Sequence, residues 1–97
     1  MKNSGYQLFY SNTSRDQIKH LHPDLKSIIR ERLKALSEKP YIGKHLEKEL
    51  AGYFSLRAKR FRIIYKIKED NQIIEIHYVG RRKDIYELLK EKLSDTE

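Results

Sequence analysis

The chain has 97 residues, with 21 Lys and Arg against 14 Asp and Glu, and it contains no cysteine. This length suits one domain with a thin core, and the lack of cysteine excludes a disulfide scaffold and any cysteine-based metal or redox site. No N-terminal apolar region resembles a secretion signal, and no run approaches the roughly 18 apolar residues of a membrane span. We therefore expect a soluble cytoplasmic protein without membrane contact.

The N-terminal half predicts one strand followed by two helices. Residues 6–10 mix aromatic and apolar side chains in a short run, which is typical of a strand. Ser14 and Gln17 have the spacing of a capping box, which predicts a short helix that begins there. Pro23 suits the first turn of a second helix, and that helix should end before Pro40, because the residue before a proline avoids the α region. The two helices are expected to form an antiparallel hairpin.

The C-terminal half predicts an antiparallel sheet. Residues 40–52 form a polar connection that we expect to be largely irregular. Three strands should follow, because apolar and polar side chains alternate along 53–59, 61–68 and 73–79. Gly80 is expected to end the last of them.

The last residues predict a third helix, of about ten residues, with apolar side chains at helical spacing. Its buried positions are Ile85, Leu88, Leu89 and Leu93, and residues 94–97 should fray. The expected fold is thus α+β in the order β-α-α-β-β-β-α. It consists of an N-terminal strand, a two-helix hairpin packed on an antiparallel sheet, and a C-terminal helix, in a single domain over residues 1–97.

The alternation sorts the side chains of the sheet onto two faces. The face packed on the helices should include Ile74, Ile76 and Tyr78, whereas Val79 belongs to the opposite, solvated face. That solvated face should also present Ser55, Arg57, Arg62, Lys66, Glu75 and His77. Residues 52–82 hold eight Lys and Arg against three acids. This cation density indicates a polyanionic partner, either nucleic acid or an acidic protein.

Two arginines on this face are candidates for phosphate binding. The guanidinium groups of Arg57 and Arg62 match a phosphate bidentately and stay charged at neutral pH. They could instead pair with a surface acid such as Glu75. Arg81 and Arg82, just beyond the predicted strand, could reach the same groove or could simply be solvated.

His77 is the candidate for proton transfer, because an unperturbed pKa of about 6.5 suits that role at neutral pH. A strand histidine that faces solvent can also be passive. Tyr86 could stack on a base or donate a hydrogen bond to a phosphate, or it could fill the core beside Ile85. The histidines lack metal-ligand spacing, so we expect neither a metal site nor a cofactor.

Segments 50–57, 60–65 and 79–86 together resemble the signature of the RelE/ParE superfamily of type II toxins. The ending Val-Gly-Arg-Arg, followed by Tyr86, is closer to the RelE branch than to the gyrase-inhibiting ParE branch. The resemblance implies a fold akin to small microbial ribonucleases and cleavage of mRNA in the ribosomal A site. It implies contacts with 16S rRNA and mRNA, a reaction without metal, and a RelB-like antitoxin that is acidic and partly disordered. The toxin alone is expected to be monomeric.

The resemblance also implies roles for individual residues. Arg62 matches the arginine that stabilises the transition state, Arg82 the one that assists the leaving group, and Tyr86 the tyrosine that orients the substrate. Contacts to phosphates and rRNA are expected from Arg57, Lys59, Arg60, Lys66 and Arg81.

The chain departs from the RelE pattern at the general base. Tyr53 and Ser55 stand where some RelE proteins carry lysines, and His77, Lys59 or Lys66 could substitute for them. Two alternatives therefore remain open. One is a ParE-like gyrase inhibitor without catalysis, and the other is a catalytically weak or non-toxic module whose basic face only binds an antitoxin.

Overall fold

The computed structural model describes residues 5–81, which form an α+β fold of two helices and one five-stranded sheet. The helices are α1 (Asn12–Lys19) and α2 (Pro23–Glu38), and the strands are β1 (Gln7–Tyr10), β2 (Lys44–His45), β3 (Phe54–Ala58), β4 (Phe61–Lys68) and β5 (Ile73–Arg81). The strand order in the sheet is β1-β5-β4-β3-β2. The predicted C-terminal helix and the tail at 94–97 lie outside the described residues.

Helix α1 begins earlier than predicted. Ser11 is its N-cap, and its hydroxyl oxygen accepts a hydrogen bond of 3.0 Å from the amide of Ser14. Ser14 was predicted to start the helix, but it lies inside the first turn and is completely buried. Its hydroxyl donates to the carbonyl of Ile76 at 2.8 Å, so Ser14 joins α1 to β5. The earlier start has a physical reason, since Ser11 already supplies the acceptor that the free amides of the first turn need.

Helix α2 confirms the predicted start and end. Pro23 is its first residue, and the amide of Asp24 donates to Nδ1 of His22 at 3.3 Å. The helix ends at Glu38, before Pro40, as the restriction on residues preceding proline requires. Ile29, Leu33 and Leu36 are buried on the side that faces the sheet.

The sheet is mixed: the three strands predicted in the C-terminal half pair antiparallel as expected, and the N-terminal strand, whose pairing was not predicted, adds a parallel edge. β1 pairs in parallel with β5, whereas β5, β4, β3 and β2 pair antiparallel in succession. A parallel pair needs a long connection, and here the connection comprises both helices and three strands. The segment 40–52, expected to be largely irregular, also contributes β2 and two short 3-10 helices at Pro40–Ile42 and Lys48–Leu50.

A β-bulge in β5 changes which side chains face the helices. Ile64 lies opposite Tyr78 and Tyr65 lies opposite Ile76. His77 is therefore an extra residue in β5, with no residue of β4 directly opposite it. The extra residue reverses the alternation beyond it. Tyr78 therefore lies on the face away from the helices and Val79 packs in the core, which is the opposite of the prediction. The strand also continues through Gly80, which was expected to end it.

Both faces of the sheet bury apolar side chains. The main core lies between the sheet and the helices and consists of Ile29, Leu33, Leu36, Ala58, Ile63, Tyr65, Ile74, Ile76 and Val79. On the opposite face a smaller cluster is formed by Leu50, Tyr53, Ile64 and Tyr78, with Leu46 against it. Ser55, predicted to be solvated, is 2% exposed on that same face. The second face is thus only partly solvated, because the bulge turns Tyr78 onto it and apolar side chains of the segment 46–53 pack over its middle.

No helix within residues 5–81 is both long enough and apolar enough to cross a membrane.

Candidate nucleic-acid interface

The centre of the candidate site is a cross-strand pair of arginines. Arg57 on β3 lies directly opposite Arg62 on β4, so the two side chains leave the sheet on one face. Their neighbours Leu56 and Ile63 face the main core, which places both arginines on the face away from the helices. Like charges directly opposite each other destabilise a sheet. An anion bound between the two guanidinium groups would remove that repulsion.

Within residues 5–81, neutral oxygens accept the hydrogen bonds of these arginines. Nη1 of Arg62 donates to Oγ of Ser55 at 3.4 Å, and Nε of Arg57 donates to the carbonyl of Lys59 at 3.4 Å. Both bonds are longer than the usual range for N–H donors and are therefore weak. The alternative that Glu75 neutralises them does not hold, since Glu75 contacts His77 instead. Among the described residues, the other N–H groups of the two guanidinium forks have no carboxylate partner.

The hairpin between β3 and β4 adds two further cations. A cleft of ≈ 230 Å³ is lined by Arg57, Lys59, Arg60 and Arg62. Lys59 has a φ of 58°, a left-handed conformation that closes the turn directly beside the arginines. Four cationic residues around one small cleft concentrate positive charge there, which favours an anionic ligand.

Two more basic residues of the sheet, Lys44 and Arg81, lie on opposite faces. Lys44 pairs with Ser55, so it leaves the sheet on the same side as Arg57 and Arg62. Lys44 was not predicted as a site residue, because the segment 40–52 was expected to be largely irregular. Arg81 is exposed and lies opposite Phe61, so the alternation directs it to the face that carries the helices. The structure therefore does not bring Arg81 to the side of Arg62.

A second polar group surrounds the bulge. Oε1 of Glu75 lies 3.2 Å from Nε2 of His77, and the His77 ring meets the ring of Tyr53 edge-on with centroids 5.4 Å apart. Nζ of Lys66 lies 4.9 Å from the centroid of the Tyr53 ring, and Lys66 is opposite Glu75 in the register. The four side chains thus form one contiguous cluster of an acid, an imidazole, an amine and a phenol.

Burial is the main cause that raises the pKa of Tyr53, and the nearby Glu75 and Tyr78 raise it further. A raised pKa keeps the phenol protonated at neutral pH, so Tyr53 can donate a hydrogen bond but cannot act as a base there. A proton acceptor in this cluster must therefore be a group other than the Tyr53 phenol.

The two polar groups share one face but are separated along the strands. Arg62 lies opposite Gly80, three residues from His77, which corresponds to roughly 10 Å along a strand. Ile64 and Tyr78 occupy the space between them. A ligand that touches both groups must therefore be extended, as a nucleotide is. Arg82 and Tyr86, the other predicted catalytic residues, lie outside the described residues.

Comparison with known proteins decides the family. Residues 6–86 match the family described as the ParE toxin of the type II toxin-antitoxin system parDE. The chain belongs to the RelE/ParE superfamily of type II toxins. Toxin RelG from Mycobacterium tuberculosis is 34% identical to it over 83 residues, which is 84% of this toxin and 95% of the relative.

Solved structures show the same fold. The toxin-antitoxin complex RelBE2 from M. tuberculosis matches with a TM-score of 0.74 and 31% identity, over 80% of this toxin and 99% of the solved chain. The intact RelBE complex from Escherichia coli matches with a TM-score of 0.69 over 80% of the toxin and 98% of that chain, and its 16% identity supports the fold alone. The predicted α+β architecture is confirmed to this extent.

The two positions predicted to depart from the RelE pattern, Tyr53 and Ser55, are not open surface in this toxin. Tyr53 and Ser55 are 8% and 2% exposed, respectively. Tyr53 packs in the small apolar cluster, and Ser55 accepts the hydrogen bond from Arg62. Tyr53 also brings the Lys66 amine and the His77 ring together, a role that the sequence analysis did not anticipate. The sequence feature that could have indicated this role of Tyr53 is its position beside Gly52, directly before a strand.

Proposed function

We propose that the toxin is an endoribonuclease that cleaves mRNA in the ribosomal A site, in the cytoplasm. The observation that carries this proposal is the Arg57–Arg62 pair, which faces away from the helices without an ion pair to any described carboxylate. A guanidinium fork in that setting can clamp a phosphate and stabilise the charge that develops on it. The family relationship supports the same assignment.

In the proposed reaction the 2′-oxygen of one nucleotide attacks the adjacent phosphorus. The new O2′–P bond forms as the P–O5′ bond breaks, which leaves a 2′,3′-cyclic phosphate and a 5′-hydroxyl. One proton leaves the 2′-hydroxyl and another reaches O5′, so the reaction needs positioning, a base, an acid and charge stabilisation. Arg62 and Arg57 hold the phosphate, and Lys59, Arg60 and Lys44 hold neighbouring phosphates.

We assign the base to His77. Glu75 lies 3.2 Å from its Nε2 and orients the ring, as a carboxylate does for a catalytic histidine. By resemblance, Arg82 assists the leaving group and Tyr86 orients the substrate. Lys66, the amine of the same cluster, is expected to contact a phosphate or the rRNA. Arg81 is expected to contact the rRNA from the other side of the sheet.

Replacing His77 with asparagine should lower the cleavage rate about a hundredfold. A histidine base works in its neutral form, so the parent rate should fall as the pH drops below the pKa of His77. His77→Asn should lose that acidic limb of the pH–rate profile. His20→Asn, an exposed change directly after α1, is the control and should leave both rate and profile unchanged. An unaltered pH profile in His77→Asn would remove His77 from the mechanism.

Purified toxin incubated with mRNA-programmed ribosomes should produce cuts within the A-site codon. A parallel supercoiling assay with DNA gyrase tests the ParE-like alternative, and no inhibition is expected. Intact mRNA together with inhibited gyrase would reject the ribonuclease assignment and support the gyrase inhibitor. Inactivity in both assays would leave the non-toxic, antitoxin-binding module.

We further propose an acidic, partly disordered antitoxin as the partner of a toxin that is monomeric by itself. Solved relatives include the RelBE2 complex of M. tuberculosis and the YoeB–YefM complex of Staphylococcus aureus. In this chain a cleft of ≈ 300 Å³ beside α1 and α2 has an apolar floor and a basic rim. Its lining residues are Tyr10, Arg15, Ile18, Lys26, Ile29, Arg30 and Leu33. An amphipathic helix with an acidic edge is complementary to such a cleft.

The partner is expected to be the product of a short acidic reading frame next to that of the toxin. Reversing the charge in Arg30→Glu should weaken its binding about tenfold or more in calorimetric titration, because the rim would then repel an acidic helix. Arg32→Glu is the matched control, since Arg32 is exposed on the same helix but does not line the cleft. Equal affinities of the two variants would place the antitoxin elsewhere.

A further inference from the structure

We propose that Phe9 and Glu75 form a nucleobase subsite that favours guanine. This inference rests on the proposed function and extends it to the choice of cleavage position. The subsite would take the nucleotide on the 5′ side of the scissile bond, with the base on Phe9 and the ribose beside His77.

The two residues lie together at the edge of the sheet. Phe9 on β1 is paired with Glu75 on β5, so both side chains leave the sheet on the same face. Leu8 and Tyr10 pack against the main core, which places Phe9 on the face away from the helices, with Arg62. A shallow cleft of ≈ 240 Å³ at this place is lined by Phe9, Tyr10, Ser11, Glu75, Ile76 and His77.

The exposure of Phe9 calls for a physical explanation. Its side chain is 52% exposed, and the other large hydrophobic residues exposed in residues 5–81 are Tyr41 and Ile42. Tyr41 has a ring partner in Phe54, whereas Phe9 has no ring contact within the described part of the chain. An exposed ring beside a basic nucleic-acid face is a stacking platform, because every base presents a π face to it.

Glu75 supplies selectivity to this platform. A carboxylate only accepts hydrogen bonds, and its two oxygens match two adjacent N–H donors. Among the four RNA bases, guanine is the one with two adjacent donors on its Watson–Crick edge, while uracil offers a single donor between two acceptors. A base that stacks on Phe9 has that edge within reach of the paired position 75.

The location agrees with the chemistry of the reaction. His77 lines the same cleft and lies 3.2 Å from Glu75, so a base held by Phe9 and Glu75 brings its own ribose to the proposed general base. The 3′-phosphate of that nucleotide then lies on the side of the ribose toward Arg62. The strand positions of His77 and Arg62 are roughly 10 Å apart. The subsite therefore selects the nucleotide that supplies the attacking hydroxyl.

The test measures binding of guanosine 3′-monophosphate and uridine 3′-monophosphate to the isolated toxin by NMR titration. The guanosine compound should bind more tightly and perturb the signals of Phe9 and Glu75. Phe9→Leu should weaken its binding roughly five- to a hundredfold, whereas Phe9→Tyr, which keeps the ring, should not. Glu75→Gln should remove the preference for guanosine over uridine but retain stacking. Tyr41→Leu is the control for loss of an exposed aromatic residue.

Equal binding of the two nucleotides by the parent, or unchanged guanosine binding in Phe9→Leu, would overturn the subsite. Because this assay needs no ribosome, it is independent of the proposed function. Ribosomal cleavage without any preference for a 5′ guanine, unchanged in Phe9→Leu, would also overturn the subsite while the nuclease assignment stands. Guanosine binding that Phe9→Leu weakens, in a toxin that never cuts mRNA, would support the subsite and reject the nuclease.

Discussion

Arg62→Ala is expected to lower the rate of mRNA cleavage on the ribosome about a thousandfold. The guanidinium is the group best placed to bind the charge that develops on the phosphate, and alanine leaves nothing in its position. Its hydrogen bond to Ser55 is long, at 3.4 Å, and the side chain lies outside the main core. The free energy of unfolding should therefore change by about 1 kcal/mol or less.

Two further variants test whether the loss of rate comes from the guanidinium group of Arg62. Arg62→Lys keeps the charge but loses the bidentate fork, so it should restore part of the rate. Arg32→Ala removes an exposed arginine from α2 and should cleave like the parent. If Arg62→Ala cut mRNA as fast as the parent while unfolding at the same urea concentration, the site would lie somewhere else.

Gly43→Ala is expected to destabilise the fold by about 2–3 kcal/mol in urea unfolding, the largest effect on stability among these predictions. An added Cβ would clash with the hydroxyl of Tyr65 and would lie 3.0 Å from the carbonyl of Ser55. Tyr65 is completely buried, and its hydroxyl donates to the carbonyl of Pro40 at 2.8 Å and accepts from the amide of Gly43 at 3.1 Å. Burial raises the pKa of Tyr65 to about 12, so the phenol keeps the proton that it donates.

The Tyr65→Phe background provides the control for this mechanism. Removing the hydroxyl by itself should cost about 1–3 kcal/mol, because the buried carbonyl of Pro40 and the partly buried amide of Gly43 lose their partner. It also removes the atom that the new Cβ would approach most closely. Gly43→Ala should therefore cost less in Tyr65→Phe than in the parent, and strictly additive effects would show that the hydroxyl is not the obstacle.

The elements with strong local signals could be predicted from the sequence. The bounds of α2 follow from Pro23 and Pro40, and the alternation along residues 61–68 gives β4 as the structure has it. The placement of Arg57 and Arg62 on the face away from the helices follows from the same alternation. Period-two patterns specify faces well as long as each strand matches its neighbour residue for residue.

The features of the fold and the site that were not predicted depend on pairing between segments that are far apart in the sequence. The bulge at His77 was not predictable, because Tyr78 and Val79 are both apolar and suit either face. The parallel pairing of β1 with β5 joins residues more than sixty positions apart, and no local pattern reports it. The exposure of Phe9 follows from that pairing, which is why the sequence analysis did not select Phe9. Arg82 and Tyr86 stay predictions, since they lie outside the described residues.

The most direct test of the central claim is a single 2′-deoxy substitution in the mRNA, placed at the nucleotide 5′ to the mapped cut in the A-site codon. Attack by the 2′-hydroxyl on a phosphate held by Arg62 predicts that this substitution abolishes the cut on programmed ribosomes. Unmodified mRNA should yield fragments that end in a 2′,3′-cyclic phosphate and begin with a 5′-hydroxyl. Cleavage at an unchanged rate in the substituted mRNA would contradict the account.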